Sequence, residues 1–483
     1  MKIPARLTNY INGKLQAPVN KKYFENPNPS TGKLLCKIPA SNEKDVAQAV
    51  KAAEKAFPAW SKTSSSERFK ILNRVAELIL KNLDHLALAE SMDSGKPLWL
   101  SKSVDIPRAH QNFQFFATAQ MHFASESHHM PDEAINYTLR QPIGVVGCIS
   151  PWNLPLYLFT WKIAPALATG NCVVAKPSEI TPCSAYMLGK ICMQAGLPAG
   201  VLNIIHGMGA DTGQAIVVHP KVKAISFTGG TVTGARIASL AAPKFKKLSL
   251  ELGGKNPNII FADCDFDKML KTTIGSSFGN NGQICLCGSR IYIEESIYDK
   301  FKKAFVKKVK SLKVGDPLAK DSNLGAISSM GHLEKILGHI KIAKEEGAKV
   351  LCGGKQIKLK GKYKNGAYLE PTVLEGLDHK CRTNQEEIFG PVVTLTPFKS
   401  EKKAIEMANS TNYGLSATVW TNDLNRAHRL GDQLVAGIVW VNCWLKRDLR
   451  TPFGGVKNSG VGREGGWEVL RFFTEPKNVC IAY

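Results

Sequence analysis

From residue 143 onward, apolar runs of strand length alternate with longer amphipathic segments, and this rhythm restricts the architecture more than any other feature of the chain. IGVVGCISP, NCVVAKPSE, VLNIIHG, AISFTGG and KLSLELGG have the pattern of strands buried on both faces. Between them, LFTWKIAPALATG, CSAYMLGKICMQAG and TGARIASLA have helical length and spacing. Strand, helix, strand in that order implies a parallel sheet with right-handed crossovers, hence an α/β fold. A second series after Gly254, including VVTLTPF, LSATVWT and GIVWVN, predicts a second α/β domain. Residues 42–90 read as amphipathic helices leading into the first sheet. Residues 121–142 alternate polar and apolar positions and predict an outlying hairpin, and the tail KNVCIAY predicts an edge strand. Exposed strands of this kind pair subunits, so a homodimer or homotetramer is expected.

Two or three domains suit 483 residues, and a hydrophobic fraction of 44% allows large cores. No apolar run is long enough to cross a bilayer, and the first ten residues lack a secretory profile, so no membrane partner and a cytoplasmic location are expected. The twelve cysteines lie without regular spacing, as reduced thiols do. His128–His129 has no ligands at metal spacing, and no metal is expected. The formal charge of +23 raises a nucleic-acid reading. Its lysines are dispersed, however, and Lys302, Lys303, Lys307 and Lys308 recur beside Phe301, Phe305 and Val306 as on a solvated helix face. No nucleic-acid partner is expected, although a basic surface concentrates anionic substrates.

The strict Gly-x-Gly-x-x-Gly fingerprint is missing. Gly229 and Gly230 nevertheless follow the strand AISFT and precede a helix, where backbone approaches phosphate and a helix offers free N–H groups. Lys176 and Glu179 end another strand. A carboxylate there accepts from ribose hydroxyls and repels a 2′-phosphate, which favours NAD; on these two residues alone a surface ion pair is an equal account. SLELGGKNP supplies Glu251 and a glycine pair. Phe266, Leu270, Ile274 and Phe278 at i, i+4 spacing predict a helix ending at Gly279-Asn280-Asn281-Gly282, with Cys285 in the turns beyond. SPWN brings Trp152 and Asn153 to a strand end. A thiol, a carboxylate and a neutral amide thus gather where open α/β folds place their chemistry.

SPWNLPL, KPSE, SFTGG, LELGGKNP, GQICLCGSR, EEIFGPV and PFGGVKNSGVGREGG resemble, in order and spacing, the motifs of the NAD(P)-dependent aldehyde dehydrogenase superfamily, over essentially the whole chain. The resemblance implies an NAD-binding domain at 1–120 and 143–253, a catalytic domain at 254–453, and an oligomerisation hairpin and tail at 121–142 and 454–483. It makes Cys285 the nucleophile, attacking an aldehyde as a thiolate, with Cys287 a packing neighbour. Asn153 and the Cys285 N–H become the oxyanion hole, and Glu251 becomes the base that activates water against the thioester. Lys176 and Glu179 hold the adenosine ribose, Gly229 and Gly230 pass the pyrophosphate, and Trp152, Glu387 and Phe389 complete the cofactor site. Val232 stands where the family often has an acidic residue, a departure expected to touch cofactor affinity only.

SVDIPRAHQNFQFF, with Arg108, and NCWLKRDLRTPFGG, with Arg447, resemble the branch that oxidises 2-aminomuconate or 2-hydroxymuconate semialdehydes, where the matching arginines grip the substrate carboxylate. Guanidinium forks bind carboxylates in pairs, although a single arginine is more often in a helix-face ion pair. Arg450 is the weaker candidate. The rival from another class is a non-catalytic structural or nucleic-acid-binding relative, which has no need to keep Cys285, Glu251 and Asn153 together.

Overall fold

The computed structural model describes residues 2–483. The first sheet has eight strands, and its centre is five parallel strands in the spatial order Leu202–Ile204, Cys172–Lys176, Val145–Ile149, Val222–Thr228, Lys247–Glu251. In chain order that is 3-2-1-4-5, the doubly wound arrangement. Its direction reverses between Val145–Ile149 and Val222–Thr228, and the crevice beyond the carboxyl ends of strands at such a point is where ligands bind. Every one of the five strands except Val222–Thr228 and Lys247–Glu251 is buried along its whole length, as continuous apolar runs require.

Helices cover both faces. Glu43–Trp60 opens with a capping box in which Asn42 and Asp45 satisfy each other's backbone N–H groups, and it buries Val46, Ala49, Val50 and Ala53. Pro155–Ala168 is buried along all of its length, sandwiched between the sheet and the helix Ile106–Met121. A single π-helical turn, Ser101–Asp105, leads into Ile106–Met121. Wide turns of this type re-aim the residues around them.

The second sheet has seven strands, with Gly288–Glu294 between Asn256–Ile260 and Val392–Phe398 and only Lys349–Cys352 antiparallel. The lysine-rich helix Tyr298–Lys310 buries Phe301, Phe305 and Val309 and leaves Lys303, Lys307 and Lys308 in solvent, as a solvated face does. Ser127–Met130, Ala134–Pro142 and Thr474–Ala482 form a third, antiparallel sheet whose last strand is exposed over most of its length. Residues 454–473, grouped by sequence with that tail, lie elsewhere. Gly460–Val461 pairs antiparallel with Leu250–Glu251 as the outer strand of the first sheet, and Glu464 is buried in an ion pair with Lys162 of the helix Pro155–Ala168 at 2.7 Å. Short strands with glycines and charges carry no period to read, so only the tertiary pairing reveals them.

No helix among the described residues is long and apolar enough to cross a membrane. All twelve cysteines are free.

Candidate active site

The motifs converge on the carboxyl ends of the first sheet. Ser150 to Asn153 follow Val145–Ile149, Lys176 to Glu179 end the neighbouring strand, Gly229 and Gly230 follow Val222–Thr228, and Glu251 ends Lys247–Glu251. A cavity of about 460 Å³ is lined by Trp152, Lys176, Glu179, Gly229 and Gly230. A second, of about 190 Å³, shares Trp152, Gly229 and Gly230 and adds Asn153, Cys285, Glu387 and Phe389. The shared wall makes one groove that runs from the Lys176 end to the sulfur.

Lys176 Nζ lies 2.8 Å from Glu179 Oε2. Burial alone would raise the Glu179 carboxyl, but the ammonium outweighs it and holds the group below its ordinary range. Glu179 is therefore held as a carboxylate. A Cβ on Gly229 would meet the Phe227 ring at 2.4 Å, so only glycine keeps this turn open. Val232, 87% exposed, has no contact role in the groove wall. At the other end Glu387 Oε1 accepts from the Gly254 N–H at 2.8 Å. Phe389 is held at φ +58°, an uncommon backbone for an aromatic residue, and His332 Nε2 donates to its carbonyl at 2.7 Å. Burial lowers His332 to about 4, so the ring is neutral. Trp152 meets both His332 and Phe389 edge-on, at 5.0 and 5.2 Å.

The Cys285 loop is built from amides. Asn280, Asn281 and Gly282 all take left-handed backbone, which asparagine and glycine tolerate best. Asn281 Nδ2 donates to the Gly325 and Ala326 carbonyls, Gln283 Oε1 accepts from Ser328 N, and Asn256 Nδ2 donates to the carbonyls of Cys285 and Cys287 at 2.7 and 2.9 Å. A Cβ on Gly254 would lie 2.7 Å from the Cys285 carbonyl, which is why the motif has a glycine pair. Among the described residues the Cys285 N–H donates to no protein acceptor, and Asn153 uses one of its two amide hydrogens on the Gln283 carbonyl at 3.0 Å. The Asn153 backbone is pinned in turn: Lys96 Nζ and Asn280 Nδ2 donate to its carbonyl at 2.8 and 3.0 Å, and Lys96 is paired with buried Asp105.

The resting sulfur is a thiol. Burial first, then the neighbouring Glu387 and Glu251, push the Cys285 thiol far above its ordinary range, and only Arg447 pulls it down. Burial and Glu464 likewise raise Glu251, whose two carboxylate oxygens have no protein partner. Cys287 is buried and pushed up to about 12, as a packing thiol is. Half-buried Arg447 donates from Nη1 to the Tyr157 hydroxyl at 2.7 Å, and the Arg108 guanidinium lies 5.7 Å from the same ring. Arg450 points elsewhere, into a two-nitrogen pair with Asp448. Lys96, Asp105, Tyr157, His332 and Lys335 carry no motif of their own and escaped the sequence; the lysine at Ser94-Gly95-Lys96, tucked after a left-handed glycine, was the only visible hint.

Residues 16–479 match the Aldehyde dehydrogenase family. The chain is 49% identical over 99% of its length to the 2-aminomuconic semialdehyde dehydrogenase of Mus musculus, of which it covers 98%. It is 46% identical over 98% of its length to the 2-hydroxymuconic semialdehyde dehydrogenase of a Pseudomonas species, of which it covers 99%. The NAD⁺ complex of an aldehyde dehydrogenase from Bacillus cereus superposes with a TM-score of 0.96 at 36% identity, covering all of this chain and 97% of that one. The fold and the site define an oxidoreductase of aldehydes. The chain belongs to the aldehyde dehydrogenase family.

Proposed function

We propose that the protein oxidises 2-aminomuconate 6-semialdehyde to the dicarboxylate with NAD as acceptor, 2-hydroxymuconate semialdehyde being the alternative substrate. The observation that carries this reading is the pair Arg108 and Arg447. Among the described residues neither has a carboxylate partner, both meet on Tyr157, and the charge of Arg447 is felt at Cys285. A guanidinium held half-buried without an anion is costly, so the site is built for an anionic substrate. Relatives that share almost the full length act, by name, on muconic semialdehydes.

The groove residues fit NAD. Glu179 offers its carboxylate where a 2′-phosphate would be repelled, and Gly229 leaves room for the pyrophosphate. Bound NAD supplies the hydride acceptor. The chain's own residues do the rest. Cys285 Sγ attacks the aldehyde carbon as its proton leaves through Glu251 to solvent, which returns Glu251 to its carboxylate form, and the Cys285 N–H and the free amide hydrogen of Asn153 stabilise the oxyanion. After oxidation to the thioester, Glu251 takes a proton from the attacking water, and the acid is released. Thr474–Ala482, an exposed strand beside Ala134–Pro142, supports assembly into a homodimer or homotetramer.

Steady-state oxidation of 2-aminomuconate 6-semialdehyde, 2-hydroxymuconate semialdehyde and aliphatic aldehydes, run side by side, tests the assignment. The muconic substrates are expected to be preferred, and Arg108→Ala and Arg447→Ala to erase that preference. Preference for the aliphatic aldehydes, with both variants unchanged, overturns it.

A further inference from the structure

On the helix Pro155–Ala168, most side chains are sealed to about 1% exposure or less, but Tyr157 and Leu158, with Leu154 just before the helix, keep 7–8%. These three share one face and form an apolar cluster apart from the main core. Their residual exposure marks the wall of an opening. Arg447, which donates to Tyr157, also lines a cavity of about 600 Å³ with Trp440 and Phe453. Its guanidinium lies 3.9 Å from the Phe453 ring centre and 5.1 Å from that of Trp161, so the two rings clamp its planar group.

We infer that Tyr157 is a specificity-determining residue, the third donor of the substrate's carboxylate site and the group that orients Arg447. The inference rests on the carboxylate-site reading above and adds to it. The phenol oxygen accepts from Arg447 Nη1, so its own O–H remains to donate. The same bond occupies the Nη1 side of the guanidinium and leaves the Nε–Nη2 edge, the geometry of a two-point grip on a carboxylate. Arg108 packs over the Tyr157 ring and delivers the second cation to the same spot. Tyrosine thus performs two tasks that phenylalanine cannot, while ring packing is common to both. A carboxylate has about four lone-pair directions to satisfy, and two forks plus a hydroxyl supply them. An aldehyde without a carboxylate gains nothing from this arrangement, so discrimination follows.

The test is Tyr157→Phe, which keeps the ring and its packing. Its kinetics are compared on 2-hydroxymuconate semialdehyde and on hexanal, alongside Arg108→Ala and Arg447→Ala. The ratio of kcat/KM for the acid to that for hexanal is expected to fall about tenfold, through KM and not kcat. Inhibition by adipate, a six-carbon dicarboxylate, is expected to weaken in the same proportion. If both arginine variants lower the ratio and Tyr157→Phe does not, the role of Tyr157 is overturned and the carboxylate site stands. If none of the three variants moves the ratio or the inhibition, the carboxylate site itself is overturned.

Discussion

Two sulfurs one residue apart, Cys285 and Cys287, differ in what surrounds them. Cys285 lines the groove with Asn153 and Glu387, whereas Cys287 is buried and its N–H closes a turn onto the Ile284 carbonyl at 2.9 Å. Cys285→Ala is expected to abolish turnover and the trapping of an acyl adduct by mass spectrometry. Cys287→Ala is expected to retain most activity and to cost stability by the volume of one small buried side chain. Full turnover in the first variant would remove sulfur from the chemistry. These residues were legible because cysteine, glycine pair and asparagine turn sit within short motifs. Lys96 and Asp105 were not, since their job, pinning the Asn153 carbonyl, joins positions 9 and 57 residues apart that no local spacing announces.

At the scale of elements, the helix Leu83–Ser94 places a carboxylate under the helix that carries Tyr157. Glu90 Oε1 accepts from the Leu156 N–H at 2.6 Å and from Ser184 at 2.9 Å, while its other oxygen has no protein partner. Burial, then the nearby Asp105, raises Glu90 from 4.5 to about 8. A raised folded-state value means that the folded protein holds an extra proton. The stability this confers is complete below the unfolded value and is lost as pH climbs through the folded one. Glu90→Gln keeps the accepting oxygen and has no proton to lose. Thermal melting followed from about pH 5 to about pH 8 is expected to fall with pH in the parent and to flatten in the variant. Equal slopes would mean that Glu90 is charged in the folded state. The elements themselves followed from the sequence wherever strands were sealed on both faces. The helix Phe266–Phe278 was also foreseen, but its buried side includes Thr273, Ser276 and Ser277 as well as Leu270 and Phe278. Asn258 Nδ2 donates to Thr273 there, a polar seam that a hydrophobic period cannot show.

Across the whole molecule, the first sheet is finished by residues from the far end of the chain. Gly460–Val461 forms its outer strand, and Glu464 neutralises Lys162 with both side chains at 0–1% exposure. Ser226 joins them at 3.2 and 3.3 Å. Glu464→Ala leaves a buried ammonium unpaired and is expected to cost about 3–5 kcal/mol in urea unfolding. Lys162→Met combined with Glu464→Leu is expected to recover most of that loss, because the desolvation penalty goes with the charges. A loss below about 1 kcal/mol in the single variant would show that the pair is hydrated in solution. The same long closure governs synthesis. A nascent chain leaving the ribosome presents all five parallel strands and the fully buried helix Pro155–Ala168 well before the segment that completes them exists. Half of the molecule must wait, sticky and unfinished, for some two hundred further residues, and chaperone capture during that interval is the natural consequence.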